Sequence, residues 1–166
     1  MDYELLFLTI SFLVATSFFG FVTWKKKSLP ESISAMVYIF NGSWRWLWSV
    51  WLWFVTITLA FPLLEAMPEE WQMFAYFLLA CLVFVGAFPL FDEEGKKYHY
   101  PLGIAAGGVS QVCVTIMCPW LWLCWIPVLA SPFFGVKRDW ICQYGVTIAE
   151  CVCAMILFTS ILIKLI

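Results

Sequence analysis

The sequence predicts an all-α integral membrane protein, a bundle of six transmembrane helices with a short interfacial or re-entrant helix after the first span. Three observations predict this fold. Hydrophobic residues make up 64% of the 166-residue chain and charged residues 12%, whereas soluble domains are roughly 45–50% apolar and about 25% charged. Several uncharged stretches approach the ~20 helical residues that cross a hydrocarbon core of about 30 Å. The basic residues fall almost entirely on one predicted side of the membrane.

Hydropathy and proline positions define the six spans. We place them at residues 4–24, 44–63 and 71–90, at two short spans within 102–135, and at 141–163. The stretch 102–135 carries no charge over 34 residues, which is too long for one span. Pro119 interrupts it, so we expect a tight turn near "MCPW". Residues 1–166 are expected to form a single transmembrane helical domain.

The charge distribution predicts the orientation. Asp2 and Glu4 precede the first apolar run and three lysines follow it, the reverse of a cleavable signal, so this run is expected to remain as a span with its N-terminus outside. Both termini then lie on the outer side. Eight basic residues lie inside and one, Lys164, outside, a strong positive-inside bias. The inner residues are Lys25, Lys26, Lys27, Arg45, Lys96, Lys97, Lys137 and Arg138.

A short helix is expected between the first two spans. Ser28 and Glu31 have the spacing of a capping box, and Pro30 lies in the first turn. Apolar residues from Leu29 to Phe40 then recur on one helical face. This pattern predicts a helix that lies in the inner interface or dips into the bundle.

Glu150 is the most informative polar residue because it lies in the middle of the last span. A charged side chain there costs roughly 2.5–3.5 kcal/mol on insertion scales. Gln143, Thr147, Glu150 and Ala154 are spaced by four, three and four residues, so they form one stripe on the helix. That stripe should face protein or an aqueous cavity.

The fourth span offers a matching stripe. Gly103, Gly107 and Ser110 have similar spacing and Gln111 is adjacent, and small residues at four-residue spacing let helices approach closely. Gln111 and Glu150 lie about 12 and 14 Å into their spans, at 1.5 Å per residue. We therefore predict a contact of Glu150 with Gln111 or Ser110. Glu150 then either ties two helices together or acts as a proton site, a cation ligand or a polar anchor for a substrate.

Motifs for catalysis, metal binding and nucleic-acid binding do not stand out. A single histidine, His99, excludes a three-histidine zinc centre. The sequence contains no GxSxG, HExxH, P-loop or CxxC pattern, and it has no basic tract for nucleic acid. The seven scattered cysteines are typical of small buried apolar residues. We expect no cofactor and no metal, and the sequence favours a non-enzymatic role.

Four local patterns carry a resemblance to a known group. They are "SISAMVY" at 32–38, "AFPL" at 60–63, "FVGAFPLF" at 84–91 and "HYPLG" at 99–103. In this order they resemble small, uncharacterised bacterial and phage-associated polytopic membrane proteins. The resemblance covers about residues 30–105 and implies a bacterial cytoplasmic membrane. That group is in turn distantly similar to the CREST membrane hydrolases, which include alkaline ceramidases.

The distant similarity implies specific residues and also sets limits. CREST hydrolases use a serine, an aspartate and three histidines around zinc in seven helices. Ser34 could stand for the serine and His99 for one histidine, whereas the other two histidines and a seventh span are absent. The resemblance therefore does not imply hydrolase activity for this chain.

Three functional hypotheses remain open. The first is non-enzymatic binding of a lipid, a small hydrophobic ligand or a membrane partner in an intramembrane cavity beside Glu150. The second is a small transporter or channel with Glu150 as its proton or cation site, and the third is a divergent membrane lipid hydrolase. Expected partners are membrane lipids and a second copy or another membrane protein, but not nucleic acid. The candidate ligand- or ion-binding residues are Glu150, Gln111, Ser110, Thr147, Gln143, His99 and Ser34.

Overall fold

The computed structural model describes residues 2–33, 36–37, 44–87, 93–131 and 138–166, with side chains described for all of these except 93–98, 100, 138 and 140–142. The described residues form helices joined by turns, in agreement with the predicted all-α class. The α-helices are α1 (Tyr3–Lys26), α2 (Trp46–Ala66), α3 (Gln72–Ala87), α4 (Glu93–Met117), α5 (Ile126–Ala130) and α6 (Arg138–Leu165). Two 3-10 helices comprise Glu69–Trp71 and Pro119–Trp125.

Four of these segments are long and apolar enough to cross a membrane. They are Tyr3–Lys26, Trp46–Ala66, Glu69–Ala87 and Gln143–Leu165, and two shorter apolar helices comprise Pro101–Met117 and Pro119–Ala130. The all-α class is therefore confirmed, and four segments have the length and composition of a transmembrane helix. The predicted break near "MCPW" is also confirmed, because α4 ends at Met117 and the second 3-10 helix begins at Pro119.

Helices α1 and α2 run antiparallel. The Ser11 hydroxyl donates to the Val55 carbonyl (3.1 Å), and Trp51 Nε1 donates to the Val14 carbonyl (3.1 Å). Phe18 stacks on the Trp51 ring with centroids 4.5 Å apart. One aromatic face of α2 therefore packs against α1.

Helices α2 and α3 are also antiparallel and approach closely at Gly86. Gln72 Nε2 donates to the Leu64 carbonyl (3.0 Å) near one end of the pair. Near the other end, Trp53 Nε1 donates to the Val83 carbonyl (2.9 Å). A Cβ added at Gly86 would lie 2.8 Å from Trp53 Nε1. Glycine at this position lets the indole of Trp53 lie directly on the backbone of α3.

After α4 the chain folds back along it. We call residues 119–131, which include the second 3-10 helix and α5, the return segment. Trp122 Nε1 donates to Thr115 Oγ1 (3.0 Å), and Trp125 Nε1 donates to Gln111 Oε1 (3.0 Å). The later tryptophan of the return segment bonds to the earlier residue of α4, so the return segment and α4 run antiparallel.

Helices α4 and α6, in contrast, run parallel. The side chains of Ser110 and Cys153 are hydrogen-bonded, and Cys118 Sγ donates to the Ser160 carbonyl (3.9 Å). The later residue of α4 bonds to the later residue of α6, so the two helices point in the same direction. Helix α6 therefore begins at the same end of the bundle as α4.

A hydrogen bond between His99, near the start of α4, and the backbone of Val85, near the end of α3, joins these two sets of helices. The starts of α2, α4 and α6 and the ends of α1 and α3 therefore lie at one end of the bundle. We call it the basic end, because Lys25, Lys26 and Arg45 lie at helix termini there. An apolar cluster is buried at this end, and its members are Val22, Met36, Val37, Trp48, Leu52 and Val85.

The segment after α1 enters the bundle. Its described residues 28–33 form turns and bends, whereas Met36 and Val37 lie in a 3-10 turn in which the Met36 N–H donates to the Ile33 carbonyl (3.1 Å). Lys27 adopts a left-handed conformation (φ 57°, ψ 21°) that ends α1. Pro30 and Met36 are buried. The capping-box spacing of Ser28 and Glu31 does not start a helix there, because the Pro30 carbonyl and the Ile33 N–H bond to α6. Residues 34–35 and 38–43 of the predicted helix lie outside the described residues.

Candidate functional site

Two side chains of α6 hold the segment that follows α1. Glu150 Oε2 accepts a hydrogen bond from the backbone N–H of Ile33 (2.5 Å), and the Thr147 hydroxyl donates to the carbonyl of Pro30 (2.5 Å). Thr147 is 1% exposed. Proline supplies no N–H, so its carbonyl is the backbone group that remains for bonding at residue 30. We call this pair of hydrogen bonds the α6 clasp.

The clasp replaces the predicted partner of Glu150. The sequence predicted Gln111 or Ser110, whereas the hydrogen bond described for Glu150 comes from Ile33. Depth along the helices was therefore an insufficient guide, because it does not fix the direction in which a side chain points. The polar stripe of α6 does face protein at Thr147, while Gln143 at its start is exposed.

Gln111 and Ser110 belong to a separate network between α4, the return segment and α6. Gln111 accepts from Trp125 Nε1 (3.0 Å), and its Nε2 donates to the Ser110 hydroxyl (3.3 Å). Ser110 in turn donates to the Gly107 carbonyl (2.7 Å) and is hydrogen-bonded to Cys153. Ser110 and Gln111 are both buried, at 5% and 8% exposure.

The glycines of α4 do not make the close helix contact that the sequence predicted. Among the described residues, no other atom lies within 4 Å of a Cβ built at Gly103, Gly107 or Gly108, apart from chain neighbours and the helix's own backbone. The contact of α4 with α6 instead runs through Ser110 and its neighbours. Ser110 contacts α6, whereas Gly103 and Gly107, which have the same helical spacing, do not pack closely against another described element.

A cleft of about 390 Å³ lies between α4 and the return segment. Its lining is almost wholly apolar, and its residues are Gln111, Trp122, Trp125, Ile126 and Leu129. The volume falls within the range of roughly 300–1,000 Å³ that is typical of small-molecule sites. Gln111 supplies the only carboxamide among these lining residues.

Sequence reasoning found Gln111 but missed the other four cleft residues. The two tryptophans were treated as part of a short apolar span, without a role in a site. Trp122 and Trp125 are three residues apart, and side chains three apart align in a 3-10 helix. That spacing beside Pro119 was the available signal, and recognising it required a 3-10 helix in place of an α-helix.

His99 does not join this site. His99 lies on α4 before the apolar stretch Pro101–Met117 begins. Burial holds the pKa of His99 below its usual value, and a hydrogen bond with the backbone of Val85 offsets part of this shift. Ser34 lies outside the described residues. Among the described residues, no three His, Cys, Asp or Glu side chains are grouped so that they could hold a metal ion.

The all-helical fold, with four helices long and apolar enough to cross a membrane, indicates the class of the helical integral membrane proteins. No known protein family, curated protein or solved structure matches the chain. The function must therefore be argued from the residues themselves.

Proposed function

We propose that this protein binds an apolar molecule from the lipid phase in the cleft between α4 and the return segment. The observation that carries the proposal is the cleft itself, with apolar walls and one buried carboxamide. Such a lining is typical of sites for hydrophobic ligands, in which few polar groups fix the orientation.

We propose further that the chain crosses the membrane six times, so that the cleft lies within the bilayer. The parallel arrangement of α4 and α6 supports this topology. Cys118 is level with Ser160, and α6 begins 22 residues earlier, at Arg138, which corresponds to about 33 Å. The chain between residues 118 and 138 must therefore return over about the thickness of a hydrocarbon core.

The positions of the basic residues support an orientation with the basic end inside. In that orientation both termini lie on the outer side, because α1 runs toward the basic end and α6 runs away from it. A bacterial cytoplasmic membrane fits this arrangement and the positive-inside rule.

Exposed apolar side chains around the cleft support entry from lipid. Leu129 and Ile126 are 69% and 57% exposed, and Leu123 nearby is 64% exposed. A surface this apolar is compatible with hydrocarbon and costly in water. A ligand that reaches the cleft would therefore come from the bilayer.

Filling the cleft is expected to displace the ligand. In Leu129→Trp, the larger side chain would occupy part of the space, and we expect the co-purified ligand to fall about tenfold or more, roughly 1.4 kcal/mol in affinity. The measurement is native mass spectrometry of the purified protein, followed by extraction and identification of the bound molecule. Leu123→Trp is the matched control, because Leu123 is similarly exposed but is not one of the described cleft-lining residues. Equal ligand content in both variants, or none in the unmodified protein, would contradict the proposal.

Transport through a site at Glu150 is a second candidate. It is favoured by the position of this carboxyl group, seven residues or about 10 Å into the apolar stretch Gln143–Leu165. Ionisable residues at such depths often serve ion or proton pathways. A pH-dependent flux in liposomes that disappears in Glu150→Gln would support transport, and equal flux with and without the protein would exclude it.

A further inference from the structure

The orientation of the Gln111 carboxamide follows from its partner on the return segment. An indole N–H can only donate, so the Gln111 atom that faces Trp125 Nε1 at 3.0 Å is the oxygen. Nε2 then points elsewhere, and one of its hydrogens is directed to the Ser110 hydroxyl at 3.3 Å. This hydroxyl accepts from Gln111 while it donates to the Gly107 carbonyl.

Among the described residues, one N–H of the Gln111 carboxamide has no acceptor. A carboxamide nitrogen carries two donors, and the hydrogen bonds of the described residues account for one of them. Gln111 is 8% exposed, so water has little access to the other. A buried N–H without an acceptor is unfavourable, and an acceptor on the bound molecule would remove that penalty.

The depth of Gln111 restricts which molecules can supply the acceptor. It lies ten residues after Pro101 and six before Met117, about 15 Å and 9 Å along the helix. The acceptor must therefore be carried into the hydrocarbon region on an apolar body. A carbonyl oxygen meets this requirement, whereas a saturated hydrocarbon does not.

We propose, on the basis of the cleft-binding function above, that the ligand is an apolar molecule with a carbonyl group, which accepts a hydrogen bond from Gln111 Nε2 within the membrane. The aliphatic side chains of Ile126 and Leu129 hold its apolar body, and Gln111 fixes its carbonyl. Acyl lipids and isoprenoid quinones share this chemistry, and the experiment distinguishes them.

The test compares two probes of equal chain length, a saturated alkane and its methyl ketone, by native mass spectrometry on the purified full-length protein. We expect the ketone to bind about tenfold more tightly, as one net hydrogen bond allows. In Gln111→Leu the ratio of ketone affinity to alkane affinity should fall from about ten to about one, whatever the change in overall affinity. A quinone and a diacyl phospholipid, added as competitors, identify which carbonyl source displaces the ketone.

A second measurement does not depend on the variant. The infrared band of a ¹³C-labelled ketone carbonyl should shift to lower frequency on binding to the unmodified protein. Equal affinity for both probes together with an unshifted band would overturn the carbonyl assignment while leaving the cleft in place. Binding of neither probe would instead overturn the proposed function.

Discussion

Glu150→Leu is expected to speed hydrogen exchange at the Ile33 amide by about 5- to 150-fold. The Glu150 carboxyl group is the described acceptor for this N–H, and leaving a buried donor without its acceptor costs roughly 1–3 kcal/mol. Leucine offers no acceptor, so the segment after α1 would open more often. Exchange at Ile33, measured by mass spectrometry on peptides that cover residues 28–33, reports this opening directly.

Two matched variants separate the clasp from a general loss of stability. Glu150→Gln keeps a side-chain oxygen that can accept from Ile33, so its exchange should rise much less than in Glu150→Leu. Thr147→Val removes the bond to the Pro30 carbonyl, and since both bonds hold one segment, the double variant should be non-additive. The clasp would be refuted if Glu150→Leu left exchange at Ile33 unchanged.

Gly86→Ala is expected to destabilise the packing of α2 on α3 by about 1–3 kcal/mol, the usual cost of overpacking. The added methyl group would lie 2.8 Å from Trp53 Nε1 and 2.9 Å from Trp53 Cδ1. The ring cannot move away freely, because its N–H is bonded to the Val83 carbonyl. A thermal melt in detergent should show a lower Tm.

Gly108→Ala is the control for this substitution. It also replaces a helical glycine by alanine, but among the described residues nothing lies within 4 Å of the added atom. Its Tm should equal or exceed that of the unmodified protein, because alanine favours helix over glycine. If the two variants melted at the same temperature, the close approach at Gly86 would be wrong.

Hydropathy predicted most of the fold, because apolar length alone identifies a transmembrane helix. The spans at 4–24, 44–63, 71–90 and 141–163 correspond to α1, α2, α3 and α6 within a few residues. Pro119 correctly marked the end of α4. The return segment was harder to predict, since its 3-10 geometry gives it a different spacing of side chains from an α-helix.

The site was predicted only in part, because helical spacing shows which residues share a face but not what that face contacts. Helical spacing identified Thr147 and Glu150 as one polar face of α6, and their hydrogen bonds to Pro30 and Ile33 agree with that. Spacing could not identify the partner, because backbone donors and acceptors carry no signature in the sequence. The same limit concealed the pairing of Gln111 with Trp125.

The capping-box residues illustrate how tertiary contacts override a local signal. Ser28 and Glu31 favour a helix start, yet the carbonyl of Pro30 and the N–H of Ile33 bond to α6. Both groups would otherwise serve a continuing helix. The buried side chain of Met36 adds apolar burial that a helix on the membrane surface would forgo.

The cleft lies in the bilayer only if the return segment crosses it, so the proposed function depends on the number of crossings. An epitope tag placed before Asp2, immediately before Arg138 or after Ile166, one per variant, can be tested for antibody access in intact and permeabilised cells. With six crossings, the two terminal tags are accessible from one side of the membrane and the tag at Arg138 only from the other. Terminal tags on opposite sides, with the Arg138 tag on the same side as the N-terminus, would contradict this topology.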